Sequence, residues 1–384
     1  MTKLAIIGAS AFQNPLILKA KERGIETHVF AWESGEVGEE TADFFYPLSI
    51  TEFDKITETC KKIGVDGVCT IGTDLGNITV SYVADQLGLT ANSMDCVRKS
   101  TNKHLMREAF EVANCPSPRS IQVDLDTNLS ELNFDFPIIV KPEDRSGSRG
   151  VTRLDSPDGL CDAVHLAIES GFDGKALVEE FVSGLECSVE FISWQGEHHL
   201  VSITEKFTTG APGFIETGHL EPARVSSEMA NQIEQVVSHA LDALGVRFGA
   251  SHSEIKIDHQ GRVKLIEIGS RMGGDCIGSD LVFISTGYDY VSAVIDVALG
   301  IKPSLPQGIR KKSAAIRFVF SLDDVEALED IKENSPEILV FASPIDSFDR
   351  KIVDSGSRYG FYIFASEEFK KIEAYLPTHD LEGW

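Results

Sequence analysis

Two short apolar segments joined by a polar turn constrain the fold of this chain more than any other feature. Residues 253–258 and 265–275 are rich in β-branched and apolar side chains, and Gly261 lies in the turn between them. The pattern predicts a β-hairpin in which Glu254 and Glu267 lie nearly opposite each other. Two such carboxylates beside Arg271 suit a magnesium ion carrying nucleotide phosphates. A solvated edge hairpin with ordinary surface charges explains these residues equally well.

The overall composition is that of a soluble globular protein. A chain of 384 residues is long enough for two or three domains, and no apolar run approaches the roughly 18 residues of a membrane span. The formal net charge of −25 disfavours nucleic acid as a partner. The apolar stretch at the N-terminus is too short for a signal peptide. We therefore expect a cytoplasmic protein that binds neither membrane nor nucleic acid.

The seven cysteines are scattered and form no Cys-x-x-Cys pair. This spacing argues against both a disulfide framework and a zinc site, and it predicts reduced thiols.

The first part of the chain alternates strand and helix patterns. A strand at 3–8, a helix ending at Gly24 and a strand at 27–31 predict a parallel sheet, and the alternation continues to a strand at 68–71. The first turn has only one glycine of a dinucleotide fingerprint, so this pattern indicates fold and not cofactor binding. Thr73 and Asp74 follow the last of these strands, where they could contact substrate or cap a helix.

The character of the chain changes around residue 94, which predicts a domain border, and a lysine at a strand exit and a small-residue loop follow it. Residues 136–142 read as a strand that presents Lys141, and residues 146–150 form a polar, glycine-containing loop. Backbone N–H groups of such a loop could close over phosphate oxygens, although the spacing is not that of a P-loop. A simple hairpin connection is the alternative.

The next segments offer nucleotide and substrate contacts. The strand at 176–182 ends in acidic residues and turns through glycine, which suits an adenine edge and ribose hydroxyls. Residues 201–223 have a loop-like middle of small residues, of the kind that lines or covers a site. His219 in this segment is, on its own, more typical of a structural residue than of a catalytic one. Residues 226–245 predict an amphipathic helix.

The order of these motifs resembles that of the ATP-grasp superfamily over about residues 95–302. The resemblance implies an α/β and α+β fold with three parts: an N-terminal parallel-sheet domain at 1–94, a central ATP-grasp domain at 95–302 and a small C-terminal α+β module at 303–384. The motifs that carry it are Lys103, Lys141, the loop at 146–150, residues 178–182 with Glu186, Glu254, and Glu267 with Arg271.

The resemblance also implies roles for individual residues. Lys103 and Lys141 would bind phosphate, and Ser146, Gly147 and Ser148 would belong to a mobile flap over the triphosphate. Glu179, Phe181 and Val182 would contact adenine, and Glu186 the ribose. Glu254 and Glu267 would bind Mg²⁺, for which Mn²⁺ could substitute. Arg271 would steady the transferred phosphoryl group or a substrate carboxylate, and Lys141 would assist catalysis.

Residue Gly269 departs from the family pattern. Many members have asparagine at this point of the second metal segment, so one metal ligand is missing here or is supplied by water. The number of bound metal ions is therefore left open.

The segments 206–222 and 267–275 look most like the carboxylate–amine ligases of the superfamily, including amino-acid and dipeptide ligases. In that context Lys206, His219, Gly274 and Asp275 would line the substrate pocket. Asp275, Glu216 or His219 could deprotonate the amine, and the sequence does not choose among them.

The expected activity is ATP-dependent amide formation through an acylphosphate, with release of ADP and phosphate. The expected ligands are ATP, Mg²⁺, and a small-molecule carboxylate and amine, with amino acids as candidates and a homodimer as the candidate assembly. One alternative is phosphorylation of bicarbonate, as in biotin carboxylase or carbamoyl-phosphate synthase. Another is a non-catalytic nucleotide-binding protein.

Overall fold

Three β-sheets organise the residues that the computed structural model describes, which are 1–145, 147–308 and 312–378. The first sheet is parallel, and the other two are antiparallel. The mixed α/β architecture predicted from the sequence is confirmed.

The first sheet contains the strands nearest the N-terminus. The elements of this part are β1 (Lys3–Ile7), α1 (Asn14–Glu22), β2 (Glu26–Ala31), α2 (Val37–Thr41), β3 (Phe44–Pro47), α3 (Phe53–Ile63), β4 (Gly67–Cys69), α4 (Asp74–Leu87), α5 (Met94–Thr101) and α6 (Lys103–Val112). The strands follow the order β3-β2-β1-β4 in the sheet. Thr73 accepts a hydrogen bond from the Gly76 N–H at the start of α4. The helix-cap interpretation of Thr73 is therefore confirmed.

The second sheet is small and presents Lys141 and Glu179. Its strands follow the order β5-β8-β6-β7. The elements of this part are β5 (Ser120–Val123), β6 (Ile138–Pro142), β7 (Thr152–Leu154), α7 (Leu160–Ser170) and β8 (Ala176–Glu180). The apolar face of α7 covers the sheet with Ala163, Val164 and Ala167.

The third sheet has eight strands in the order β13-β12-β9-β10-β11-β14-β16-β15. Its elements are β9 (Leu185–Trp194), β10 (Glu197–Thr208), β11 (Glu216–Glu221), α8 (Ser227–Leu244), β12 (Phe248–Ile257), β13 (Val263–Gly269), α9 (Val282–Thr286), α10 (Tyr290–Ala298), β14 (Ser313–Phe318), α11 (Leu322–Asn334), β15 (Leu339–Ala342), β16 (Phe361–Ser366) and α12 (Lys370–Glu373), with a π-helix at Ile277–Leu281 between β13 and α9.

The hairpin predicted from residues 253–275 is present as β12 and β13. Glu254 and Glu267 are directly paired in the ladder, as the sequence pattern predicts. Gly261 has φ +73° in the connecting turn, a conformation that glycine adopts without steric cost. One face of the hairpin is covered by α8, whose Ile233, Val237 and Leu241 are fully buried.

The segment 201–223 differs in part from its predicted loop character. Residues 209–215 form a connection, but the flanking residues pair as β10 and β11, with Lys206 opposite His219. His219 therefore lies in a strand. Pairing with neighbouring strands outweighs the weak strand propensity of glycine and small residues here.

The C-terminal strands continue the third sheet. β14 pairs with β11, and Leu220 lies opposite Ala315. The predicted boundaries at residues 94 and 302 stay a prediction, because sheet topology alone does not define a domain border.

Among the described residues, no helix combines the length and the apolar character needed to cross a lipid bilayer. The seven cysteines are all free, as predicted from their spacing, and five of them are buried.

Replacement of Leu241 by alanine tests the packing of α8 against the third sheet. Leu241 is fully buried, so we expect Leu241→Ala to destabilise the fold by about 2 to 5 kcal/mol through lost burial and a residual cavity. Leu166→Ala is the control, because the Leu166 side chain is 49% exposed. Chemical denaturation should separate the two variants, and equal unfolding midpoints would contradict this account of the core.

Candidate active site

One cavity of about 510 Å³ collects the residues singled out from the sequence. Every predicted site residue that the structure describes lines it, whereas Ser146 lies outside the described residues. The set is Lys103, Lys141, Gly147, Ser148, Glu179, Phe181, Val182, Glu186, Lys206, His219, Glu254, Glu267, Arg271, Gly274 and Asp275.

Neighbouring strands of the third sheet deliver the acidic and basic residues to this cavity. Side chains alternate between the two faces of a strand, so paired residues share a face. Glu254 of β12 is paired with Glu267 of β13, and on the next row Glu186 of β9 is paired with Lys256 of β12. The cavity wall is therefore a polar sheet face, opposite the apolar face that packs on α8.

Glu254 and Glu267 each contact a lysine. Lys206 Nζ lies 2.7 Å from Glu254 Oε1, and Lys103 Nζ lies 2.8 Å from Glu267 Oε1. Burial alone would raise the pKa of Glu254, but the positive charges of Lys206 and His252 outweigh burial and hold that pKa well below its usual range. The Glu254 carboxylate is therefore ionised at neutral pH.

This donor set fits a divalent cation held together with phosphates. Among the described residues there is no group of three or more acidic, histidine or cysteine side chains that could hold a metal ion unaided. Mg²⁺ commonly takes one or two carboxylates and completes its shell with water and substrate phosphates. The opposed pair Glu254 and Glu267 meets that requirement.

Lys206 is surrounded by three carboxylates. Its Nζ lies 2.7 Å from Glu254, 3.2 Å from Glu186 and 3.5 Å from Glu216. Burial by itself would lower the pKa of Lys206, but the three carboxylates outweigh it and raise that pKa well above its usual value. The lysine is a buried counter-ion in this structure.

A buried chain of charges joins the helix α6 to both antiparallel sheets. Arg107 Nε and Nη2 donate to the two carboxylate oxygens of Glu179, at 2.9 and 3.2 Å, and Nη2 also donates to the Ile266 carbonyl at 2.7 Å. Lys141 Nζ lies 2.5 Å from the same Glu179 carboxylate. The carboxylate of Glu179 is thus engaged by two cations.

The loop after β13 is fixed by an arginine. Arg358, from the C-terminal part of the chain, contacts both oxygens of Asp275, at 2.7 and 3.0 Å. Burial alone would raise the pKa of Asp275, but the guanidinium of Arg358 outweighs it and holds that pKa well below its usual range. Asp275 is therefore a poor proton acceptor at neutral pH.

His219 lies next to this pair and is fully buried. Its Nε2 is 3.7 Å from Asp275, and neither ring nitrogen has a hydrogen-bond partner among the described residues. Burial lowers the pKa of His219 despite the nearby carboxylate. At neutral pH the imidazole is uncharged and keeps a nitrogen lone pair.

Arg271 turns back toward the first sheet. Its Nε and Nη2 donate to Asp74 at 2.8 and 3.0 Å. A Cβ atom built on Gly269 would lie 3.1 Å from Arg271 Cζ. The glycine that stands where an asparagine is expected therefore leaves space for this guanidinium.

A histidine whose side chain is 11% exposed lies beside Glu254. His252 Nδ1 donates to Glu190, which also accepts from the Gly273 N–H at 3.3 Å. Burial opposes the charged imidazole, but Glu190 outweighs it and raises the pKa of His252 to about 9. A Cβ on Gly273 would lie 2.5 Å from His252 Nδ1, so only glycine fits there.

The glycine-containing loop contacts two other walls of the cavity. Ser148 Oγ donates to the Phe214 carbonyl at 3.1 Å, and Arg149 Nε lies 3.1 Å from Asp354. The Phe181 ring is flanked by Arg153 and Lys256, at 4.6 and 5.3 Å from its centre. Ser148 thus contacts Phe214, whose ring centre lies 6.3 Å from that of Phe181.

Four residues of the site were not identified from the sequence. Arg107 lies one helical turn after Lys103, so the i, i+4 spacing on an amphipathic helix could have indicated it. Arg358, His252 and Glu190 stand in no local pattern of charged residues that distinguishes them. Their role depends on strand pairing and on the return of the C-terminal segment to the cavity.

Comparison with known proteins identifies the fold. The family model described as an ATP-grasp domain matches residues 134–279. The solved structure of an L-amino acid ligase from Bacillus licheniformis superposes with a TM-score of 0.83 at 23% identity, covering 98% of this chain and 96% of that one. The described residues therefore have an ATP-grasp fold.

Several curated proteins are similar in sequence. Human carnosine synthase 1 is 24% identical over 336 residues, which are 79% of this chain and 40% of that protein. Alanine–anticapsin ligase of Bacillus subtilis is 25% identical over 283 residues, which are 67% of this chain and 59% of that protein. This chain thus spans less than two thirds of the length of either relative.

The pKa of Glu179 predicts how the buried charge chain responds to acid. Burial raises this pKa, but Arg107 and Lys141 outweigh burial and lower it from 4.5 to about 2. The stabilisation is therefore present above pH 4.5 and is lost as pH falls toward 2. We expect Glu179→Gln to lower the thermal unfolding temperature most at pH 6 to 7. The difference from wild type should narrow below pH 4.5, and a constant difference would contradict the assignment.

Proposed function

We propose that this chain, which belongs to the ATP-grasp superfamily, is an ATP-dependent ligase that joins a carboxylate to an amine. The observation that carries the proposal is the convergence of Lys103, Lys141 and Lys206 with the opposed pair Glu254 and Glu267 around one cavity. This combination of buried cations and two carboxylates suits a polyphosphate bound with a divalent cation. The similarity to carnosine synthase, to alanine–anticapsin ligase and to an L-amino acid ligase favours amide formation over bicarbonate phosphorylation.

The nucleotide base would lie between the second and third sheets. Phe181 offers an aromatic face, and Val182 offers backbone groups just beyond the end of β8. The Glu179 carboxylate is held by Arg107 and Lys141, so we assign it to the positioning of Lys141 more than to direct contact with adenine. Glu186, which contacts Lys206 and Lys256, would bind the ribose hydroxyls.

The phosphates would extend from Lys141 toward the hairpin β12–β13. Lys206 lies between Glu186, proposed for the ribose, and Glu254, proposed for the metal. This position favours phosphate contact for Lys206 over the substrate contact expected from the sequence. Mg²⁺, bound by Glu254 and Glu267, would neutralise phosphate charge and polarise the bond that breaks. Gly147 and Ser148 would close over the phosphates.

The chemistry converts a poor electrophile into a reactive one. An oxygen of the substrate carboxylate attacks the γ-phosphorus of ATP, the bond to the bridging oxygen breaks, and ADP leaves. The amine nitrogen then attacks the carbonyl carbon of the acylphosphate, and phosphate leaves as the amide forms with loss of a proton. Lysines and Arg271 stabilise the charge that develops on the transferred phosphoryl group, and cavity closure excludes the water that would hydrolyse the intermediate.

The proton released by the amine needs an acceptor. Arg358 keeps Asp275 ionised with a depressed pKa, which makes this carboxylate a poor base. His219 is uncharged and lies 3.7 Å from Asp275, which supports the histidine over the aspartate. We assign His219 as the proton acceptor.

The proposal has three further parts. The substrates are amino acids, the protein forms a homodimer, and it is located in the cytoplasm.

Substrate-dependent release of ADP tests the proposal directly. We expect ATP and Mg²⁺ to give ADP and phosphate only when suitable amino-acid pairs are present. Glu267→Gln should reduce turnover by about 100-fold or more, since it removes one of two metal carboxylates. Its thermal unfolding should stay close to that of wild type, because the amide keeps the shape of the side chain and can accept a hydrogen bond from Lys103, whose Nζ also donates to the Arg145 carbonyl at 2.7 Å.

Glu197→Gln is the matched control, because Glu197 is exposed at the start of β10 and lies outside the cavity. Full activity of Glu267→Gln would contradict the metal assignment. Absence of substrate-dependent ADP from the wild-type protein, across all pairs of amino acids, would contradict the ligase proposal itself.

A further inference from the structure

The backbone on either side of Arg271 is bonded to the first part of the chain. Asn77 Nδ2 donates to the Ser270 carbonyl at 3.2 Å and to the Ser270 hydroxyl at 3.0 Å. On the other side, the Gly72 N–H donates to the Met272 carbonyl at 3.1 Å. The backbone position of Arg271 is therefore determined by bonds to both of its neighbours.

The Arg271 guanidinium is held in one orientation as well. Only 14% of its side chain is exposed, and Nε and Nη2 donate to the two carboxylate oxygens of Asp74. A bidentate pair of this kind fixes the plane of the guanidinium as well as its distance. Asp74 is the first residue of α4, where the helix dipole favours a negative charge.

The guanidinium lies against β13, beside Glu267. A Cβ atom built on Gly269 would lie 3.1 Å from Arg271 Cζ and 3.3 Å from its Nε. Gly269 and Glu267 are two residues apart in one strand, so they belong to the same face of the sheet. Burial would lower the pKa of Arg271, but the carboxylates of Asp74 and Glu267 outweigh burial and raise it. A permanent positive charge therefore lies on the row next to the pair Glu254 and Glu267.

These charges limit the number of divalent ions that the cavity can bind. Glu254 and Glu267 face each other and can share one ion with the phosphates of a nucleotide. A second ion on the far side of Glu267 would need a ligand at Gly269, which has no side chain, and it would lie against the guanidinium. Like charges repel strongly at such a separation where water is largely excluded.

We propose that the Arg271 guanidinium, held by Asp74, takes the place of a second divalent cation, so that the cavity binds its nucleotide with a single ion. This assignment rests on the proposed ligase function and gives the number of metal ions at the same site. Asp74 does not line the cavity and acts through Arg271, so it is a positioning residue.

The number of Mn²⁺ ions bound with a non-hydrolysable ATP analogue tests this assignment. The protein is saturated with adenylyl imidodiphosphate, and unbound Mn²⁺ is measured by electron paramagnetic resonance as the ion is added. We expect about one bound ion per wild-type complex.

Replacement of Arg271 by glutamine should raise that number. The neutral amide does not repel a cation, and its oxygen can serve as a ligand, so Arg271→Gln should bind about two ions per complex. Two ions at a separation of about 3.5 to 4 Å also interact magnetically, so the spectrum of bound Mn²⁺ should broaden in this variant.

A double variant keeps the test informative if Arg271→Gln fails to fold. Arg271→Gln leaves Asp74 without its partner, whereas Asp74→Asn combined with Arg271→Gln removes both charges and should also bind two ions. Arg317→Gln is the matched control. Arg317 likewise pairs with an aspartate, Asp324, at 2.7 Å, but it lies outside the cavity, so this variant should bind a single ion like wild type.

Two bound ions in the wild-type complex would overturn the inference, and so would a single ion in the variants that lack the guanidinium. A wild-type protein that does not bind the analogue would overturn the proposed function as well, and dialysis with labelled analogue detects this separately from the ion count. A wild-type complex with one ion, in a protein without substrate-dependent ADP release, would support the ion count and contradict the ligase proposal alone.

Discussion

The requirement that buried charges be paired governs the cavity of this protein. Lys141, Glu179, Lys206 and Asp275 are largely removed from water, and each contacts a group of opposite charge. An isolated charge in this environment would be strongly destabilising, whereas a paired and hydrogen-bonded one is tolerated. The pairs also link separate elements of the fold. Arg107 joins α6 to β8 and β13, and Arg271 joins the loop after β13 to the start of α4. The contacts that keep the charges buried therefore also position the sheets around the cavity.

The same pairs prepare the cavity for a charged ligand. Lysines that now contact Glu254 and Glu267 lie where phosphates would be held, so binding of a nucleotide with its cation would exchange one set of ionic contacts for another. Such an exchange requires little rearrangement of the sheet, because the side chains stand in fixed rows on neighbouring strands. The main structural change expected on binding is in the loop of Gly147 and Ser148, which contacts the rest of the cavity through few bonds.

Much of the fold and most of the cavity could be predicted from the sequence. Strands and turns follow from local residue patterns, and the cavity follows from the order in which its charged residues occur along the chain. The alternation of strand residues and the turn at Gly261 determine the register of the hairpin, and hence the pairing of Glu254 with Glu267. The order of lysines and glutamates indicated which segments meet. Arg358 and Glu190 could not be found in this way, because their importance arises from contacts between residues far apart in sequence. The role of Glu179 was also hidden, since a carboxylate that holds a lysine and one that faces a ligand look alike in a strand pattern.

The pairing of β11 with β14 has a consequence for how this architecture can be recombined. The prolines near residue 303 suggest a natural junction at which a C-terminal part could be exchanged between relatives. The ladder from Gly218 to Glu221 crosses that junction, and Arg358 returns from beyond it to the cavity wall. A chimera joined there would replace three of the eight strands of a continuous sheet together with one wall of the cavity. The unit that can be inherited or transplanted as a whole is thus the sheet, and not the segments on either side of the linker.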